Sequence, residues 1–286
     1  MYKIKKYFNS YEDYEEEGKS ADTLIKDILA DSELAGLEEL IIGDWGGSWE
    51  DSCQAVLDGL VKNKEKFSNI KRLFMGDMDF EECEVSWIIQ GDYEDIWEAL
   101  PNLKELCIKG STDLKLGEIS HENLEVLEII CGGLPSDIIS QIEKAHLPNL
   151  KKLNLYLGSD NYGFDGDENT IKNLLANSNF PKLEYLGIND SEIQDEVVEV
   201  VLNSKYMQQL STLDFSNGTL TDKGGQMILD KIPEYTNIKQ VDLHFHFLSD
   251  EMMAKLEKLP VEINLEEQNE AEEYDGEIYR YAMLTE

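Results

Sequence analysis

The feature that most constrains this chain is a six-residue phrase with apolar residues at its first, fourth and sixth positions. It occurs nine times, from Leu37-Leu40-Ile42 and Ile70-Leu73-Met75 to a terminal Pro260-Ile263-Leu265. Its middle residues, Leu40, Leu73, Leu106, Leu127, Leu153, Leu186, Leu213, Val241 and Ile263, are 33, 33, 21, 26, 33, 27, 28 and 22 residues apart. A unit this short cannot bury its own apolar edge, so neighbouring units must stack. Inside the phrase the side-chain period is two. Positions four and six point into the stack, and positions three, five and seven point out. The intervening halves have helical spacing. In residues 48–67, Val56, Leu57, Leu60 and Val61 share one face, with Ser48 as the expected cap and Asp51 in the first turn. Comparable helices are expected over 92–100, 136–145, 169–176, 195–204, 222–232 and 249–259. The coil between Leu106 and Leu127 is too short for a full helix, and Leu114, Leu116 and Ile119 are expected to pack an irregular return.

A strand and a helix alternating at this period form the pattern of a leucine-rich repeat. The expected fold is α/β: a right-handed horseshoe solenoid of about nine coils, with a parallel sheet on the concave face and helices on the convex face. The stretches Leu213-Asp214-Phe215-Ser216-Asn217-Gly218-Thr219-Leu220-Thr221-Asp222 and Leu186-Gly187-Ile188-Asn189-Asp190-Ser191-Glu192-Ile193 resemble the ribonuclease-inhibitor class of the repeat. Ser86-Trp87-Ile88-Ile89-Gln90-Gly91-Asp92, Leu157-Gly158-Ser159-Asp160-Asn161-Tyr162-Gly163, the run from Asp242 to Glu251 and the Arg280-Tyr281 ending extend the likeness. Together they look like a bacterial family of stand-alone cytoplasmic leucine-rich-repeat proteins of unassigned role. The resemblance implies a fold and a compartment and brings no activity.

One domain over residues 1–286 is expected. Residues 1–36 form a cap, with an acidic run from Glu12 to Glu17 and a helix around 23–34 carrying Leu24, Ile25, Ile28 and Leu29. Residues 37–265 are repeats, and 266–286 are an acidic tail or second cap, free on sequence grounds to fray or to cover the concave face. No stretch reaches the roughly 18 apolar residues of a membrane span. The charged start Met1-Tyr2-Lys3-Ile4-Lys5-Lys6 has no apolar run behind it, unlike a secretory signal. Cys53, Cys83, Cys107 and Cys131 form no C-x-x-C pair, so buried structural thiols in a reducing, cytoplasmic setting are expected.

Sixty acidic residues against 25 basic give a net charge of −35. Such a surface repels phosphate backbones, which argues against nucleic acid as a partner. The excess acid serves solubility and a monomeric state, or it steers a basic protein into the hollow. The outward positions supply aromatic anchors at Trp45, Phe74, Tyr156 and Tyr185 and carboxylates at Asp44, Glu105, Glu128, Asp214 and Asp242. Asn189, Ser216 and His244 complete the expected partner-binding set. Ile41, Phe74 and Tyr156 would form an exposed apolar strip, a feature that often marks a contact site.

Three constellations bear on chemistry. His244 and His246 flank Phe245 near Asp242 and Asp214, a zinc-like grouping, but position nine of the repeat is expected to turn His246 inward. The 158–168 loop holds four acids and three glycines without EF-hand spacing, and a turn leading into a helix near Asp167 or Glu168 is the preferred reading. Glu81-Glu82-Cys83-Glu84 beside Trp87 reads as a solvated acidic loop, with an acidic rim lining a pocket as the alternative. Nucleophile-elbow, phosphate-loop and dinucleotide-loop motifs are missing. The expectation is a non-catalytic interaction module without cofactor or metal that binds a basic protein on its concave face. The alternatives are an inhibitor or antitoxin-like blocker of a basic enzyme, or a metal-dependent enzyme using Asp214, Asp242 and His244.

Overall fold

The computed structural model describes residues 3–284. Ten strands form one parallel sheet in strict chain order. They are β1 (Ile4–Tyr7), β2 (Glu39–Ile42), β3 (Arg72–Met75), β4 (Glu105–Lys109), β5 (Val126–Ile130), β6 (Lys152–Gly158), β7 (Tyr185–Ser191), β8 (Thr212–Asp214), β9 (Gln240–Asp242) and β10 (Glu262–Asn264). The helices between them are α1 (Tyr11–Glu17), α2 (Ala21–Ala30), α3 (Gln54–Lys62), α4 (Ile96–Ala99), α5 (Ser136–Glu143), α6 (Glu168–Asn177), α7 (Gln194–Leu202), α8 (Asp222–Lys231) and α9 (Asp250–Leu256). The chain is a leucine-rich-repeat solenoid.

The register follows the apolar beat. Leu40, Leu73, Leu106, Leu127, Leu153, Leu186, Leu213 and Val241 stand side by side on successive strands, all fully buried. Each contributes about 1.5–3 kcal/mol by leaving water. Ile263, on the last strand, is only partly buried because no further coil covers it. A polar ladder runs beside this core. Asn69, Asn102, Asn123, Asn149 and Asn237, each just before a phrase, donate their side-chain amides to carbonyls of the preceding coil at 2.7–2.9 Å. The ladder satisfies backbone oxygens that the turn into each strand leaves without ladder partners.

The N-terminal segment does more than was expected of a cap. Residues Ile4–Tyr7 pair with β2 and extend the sheet by a tenth strand. The acidic run is helix α1, closed by a reciprocal Ser10–Asp13 capping box. Leu24, Ile25 and Ile28 of α2 bury against the first repeat. The helix expected from Ser48 starts only at Gln54. Ser48 is not its cap: its hydroxyl is buried against the Met78 sulfur at 3.3 Å. The 92–100 helix shrinks to the single turn of α4 because Asp92 bridges to Lys115 in the next coil. The short coil after β4 is irregular, with Leu114, Leu116 and Ile119 buried as expected.

After β10 the chain forms an exposed antiparallel hairpin of β11 (Glu272–Tyr274) and β12 (Glu277–Tyr279). The tail also runs along the loops at the ends of β7 to β9. Before the hairpin, Asn269 N–H donates to the His246 carbonyl at 2.7 Å, and after it Met283 N–H donates to the Asn217 carbonyl at 2.8 Å. Leu284 N–H donates to Asp190 Oδ1 at 2.8 Å.

Candidate functional site

Outward positions of neighbouring strands form rows across the concave face. One row runs Ile41, Phe74, Cys107, Glu128, Asn154, Gly187, Asp214, Asp242. Strands lie about 4.8 Å apart, so side chains within a row press on each other. Ile41, Phe74 and Tyr156 are therefore half-buried, not the open apolar strip expected from alternation alone.

The acids of this face are engaged with their own neighbours. Arg72 pairs with Glu39 on one side and with Glu105 on the other. Glu128 accepts from Asn154 at 2.6 Å and from Lys152 at 3.2 Å, and the Lys152 amine lies 4.8 Å from the Tyr185 ring centre. Tyr185 donates to Asp214 Oδ2 at 2.6 Å, and Asn189 donates to the same oxygen at 3.0 Å. The Ser216 hydroxyl donates to Asp214 Oδ1 at 2.6 Å. Burial, then the Asp214 charge, pushes the Tyr185 phenol well above its ordinary range. Burial does the same to Tyr156. The result is a continuous ladder from Glu128 to Ser216 whose donors and acceptors hold one another in place.

The expected binding residues divide into three groups. Phe74, Glu105, Glu128, Tyr156, Tyr185, Asp242 and His244 reach the surface of the hollow, each half-buried. Asn189 and Ser216 are fully enclosed, and Asp214 nearly so. Trp45 requires a correction. Its indole is fully buried, with Nε1 donating to the Asp51 carbonyl at 2.7 Å. Gly46 and Gly47, at φ +94° and +75°, turn the chain back so that the ring tucks into the core. A side chain on Gly46 would sit 2.5 Å from the Lys19 carbonyl oxygen. Asp44 serves the same turn, accepting from Gly46 N–H at 2.8 Å, and burial raises its pKa.

His244 Nδ1 lies 2.7 Å from Asp242 Oδ1. His246 turns inward as expected, with Nε2 donating to the Leu265 carbonyl at 3.1 Å and Nδ1 accepting from Leu248 N–H at 3.1 Å. His121 makes the same paired contacts to Leu100 and Asn123. Burial lowers the pKa of both rings. Among the described residues no three His, Cys, Asp or Glu side chains are grouped to hold a metal. In the 158–168 loop, Asp167 caps α6 and Asp165 accepts from Ser136 N–H at 2.7 Å. All four cysteines are free thiols and buried, and burial pushes Cys53 and Cys131 up to about 12.

Two features escaped the expected set. Asp190, in the left-handed region at φ +51°, is fully buried, and its Oδ2 has no partner among the described residues. Burial raises its pKa to about 8 against the opposing pull of the Leu284 and Met283 N–H groups. The tail contact that encloses it lies 94 residues away in sequence, and no local pattern announces it. The second is a set of exposed aromatic residues on loops after β2 and β3. Phe80 and Trp87 border the Glu81-Glu82-Cys83-Glu84 segment together with Trp49. Their apolar type at loop positions was the available signal.

No protein-family model matches the chain, and no curated protein matches it. Among solved structures, a Bacteroides fragilis protein of unassigned function from a structural-genomics programme is 43% identical, with a TM-score of 0.87. The match covers 93% of this chain and 75% of that one. The chain belongs to that protein's family. Over the matched region the two share one fold. The crystal structure of a yeast complex of Rad7 and Elc1 also matches, at 10% identity, 84% and 70% coverage and a TM-score of 0.36. No helix among the described residues is long and apolar enough to cross a membrane.

Proposed function

We propose that the chain is a non-catalytic protein-interaction module that receives a basic protein partner on its concave face. The observation that carries this reading is the interlocked chain from Glu128 through Asn154 and Asn189 to Asp214, where Tyr185 also donates. A surface whose polar groups are already oriented loses little side-chain freedom on binding, which favours contact over reorganisation. Tyr156 and Tyr185 offer half-buried aromatic area of the kind enriched in interface hot spots. The net charge of −35 supplies long-range attraction for a cationic partner. The finer family reading, a stand-alone cytoplasmic protein with ribonuclease-inhibitor-like repeats acting as a monomer, belongs to the same proposal. It is tested by purifying the protein with its partner and replacing Tyr156 by Ala. Loss of a salt-sensitive basic partner supports the reading, and retention of the partner overturns it.

A further inference from the structure

The loops after β2 and β3 carry two strongly exposed aromatic side chains, Phe80 and Trp87, beside a third, Trp49, that is partly packed against the core. Phe80 is 74% exposed and Trp87 58% exposed. Trp49 borders the same shallow hollow, stacked by Tyr11 at 5.9 Å and met edge-on by Tyr14 at 5.4 Å. Water is a poor environment for such rings, and clusters of this kind on a soluble protein mark contact sites.

The hollow is built, not slack. Asp79 Oδ1 accepts from both Glu81 and Glu82 N–H at 3.0 Å, while Glu82 Oε2 accepts from Asp79 N–H at 3.0 Å. Cys83 N–H closes the turn onto the Asp79 carbonyl at 3.0 Å. This reciprocal turn holds Phe80 outward at its apex and sets Glu81, Glu82 and Glu84 in solvent around the rings. Among the described residues no ion pair engages these three glutamates. The nearby Lys109 amine is directed to the Met78 carbonyl instead. The rim therefore differs from the concave face, where Glu105, Glu128 and Asp214 already have partners.

We propose that this rim docks an arginine-bearing basic segment of a protein partner. Unneutralised carboxylates around an indole and a phenyl ring select a cation with an aromatic-compatible face. A guanidinium stacks on the ring and still directs its in-plane N–H donors to carboxylates, whereas an ammonium is a compact, strongly hydrated charge. A second copy of this chain is a poor occupant, because its exposed apolar hairpin carries Glu272, Glu273, Asp275 and Glu277 and would be repelled. The inference rests on the interaction-module reading and not on the concave face as the docking site.

The test is titration of the full chain with hexa-arginine and hexa-lysine peptides at about 150 mM salt, where long-range charge is screened. Hexa-arginine is expected to bind about tenfold more tightly than hexa-lysine, in line with one or two stacked guanidinium contacts. Combined Trp87→Ala and Phe80→Ala substitution is expected to weaken hexa-arginine about tenfold and erase the preference, at unchanged net charge. Trp87→Leu, which keeps apolar bulk, is expected to lose most of the same preference. Asn173→Ala, on the exposed face of α6 and away from both surfaces, is expected to leave peptide binding unchanged. Peptide binding that ignores the rim substitutions overturns the inference. If Tyr156→Ala instead removes the binding, the rim is wrong while the concave-face reading stands.

Discussion

Replacing Asp190 by Asn removes the most perturbed carboxyl among the described residues without straining the backbone, since Asn, like Asp, tolerates positive φ. In the folded chain Asp190 titrates at about 8, against an ordinary aspartate value of about 3.9 when unfolded. Between those values the native state holds a proton that the unfolded state has released. Stability therefore falls as pH rises, by about 1.4 kcal/mol per pH unit, and levels off above the folded pKa. Below about pH 4 both states are protonated and the group contributes no slope. Across the whole window the penalty reaches at most about 6 kcal/mol. The Asn variant keeps an acceptor for Leu284 N–H and carries no charge to desolvate. Its stability relative to the wild type is thus expected to climb steadily from pH 4 to pH 8. Urea unfolding of both proteins across this range measures the difference, and the carboxyl carbon resonance of Asp190 should titrate near pH 8. Parallel stability curves, or a resonance midpoint near pH 4, would refute the reasoning.

Other substitutions probe the stack itself. Leu153→Ala, in the middle of the buried ladder, should cost about 2–5 kcal/mol by chemical denaturation, whereas Ile263→Ala at the partly covered end should cost visibly less. Asn149→Ala removes a 2.7 Å bond to the Glu122 carbonyl and should cost about 1 kcal/mol, read as a shift in denaturation midpoint. Gly158→Ala should destabilise by more than about 2 kcal/mol, because Gly158 sits at φ +69° and a side chain would meet the Gly132 oxygen at 1.7 Å. In native protein a thiol reagent at pH 8 should find the cysteines unreactive, and all four should react after unfolding; rapid native labelling would show that the solenoid opens.

The repeat beat was legible because it is geometric: Leu40 to Val241 need only period-two alternation and stacking to become one buried row. Helix α6 was equally legible, since Asp167 and Thr170 form a local cap. Features set by contacts distant in sequence were not. Ile4–Tyr7 alternates too briefly to declare itself a strand and becomes one only against β2. Trp45 stands at position nine of its phrase, the same place at which His246 is expected to turn inward, so that rule, unlike plain alternation, places it in the core, and Gly46 and Gly47 reverse the chain behind it. On the concave face, sequence named Glu128, Tyr185 and Asp214 as separate contact residues. It did not show that they bond along one ladder, because that depends on register between coils 24 to 29 residues apart. The Asn ladder had a local signal, an Asn before five of the phrases, whose role emerges only from the carbonyls it meets.

The most direct test of the interaction proposal places a photo-crosslinking amino acid at Tyr156 in the hollow and, separately, at Lys172 on the exposed face of α6. Irradiation in cells is expected to yield an adduct with a basic protein from position 156 and none from position 172. Adducts confined to position 172, or none at position 156, would contradict a concave docking face.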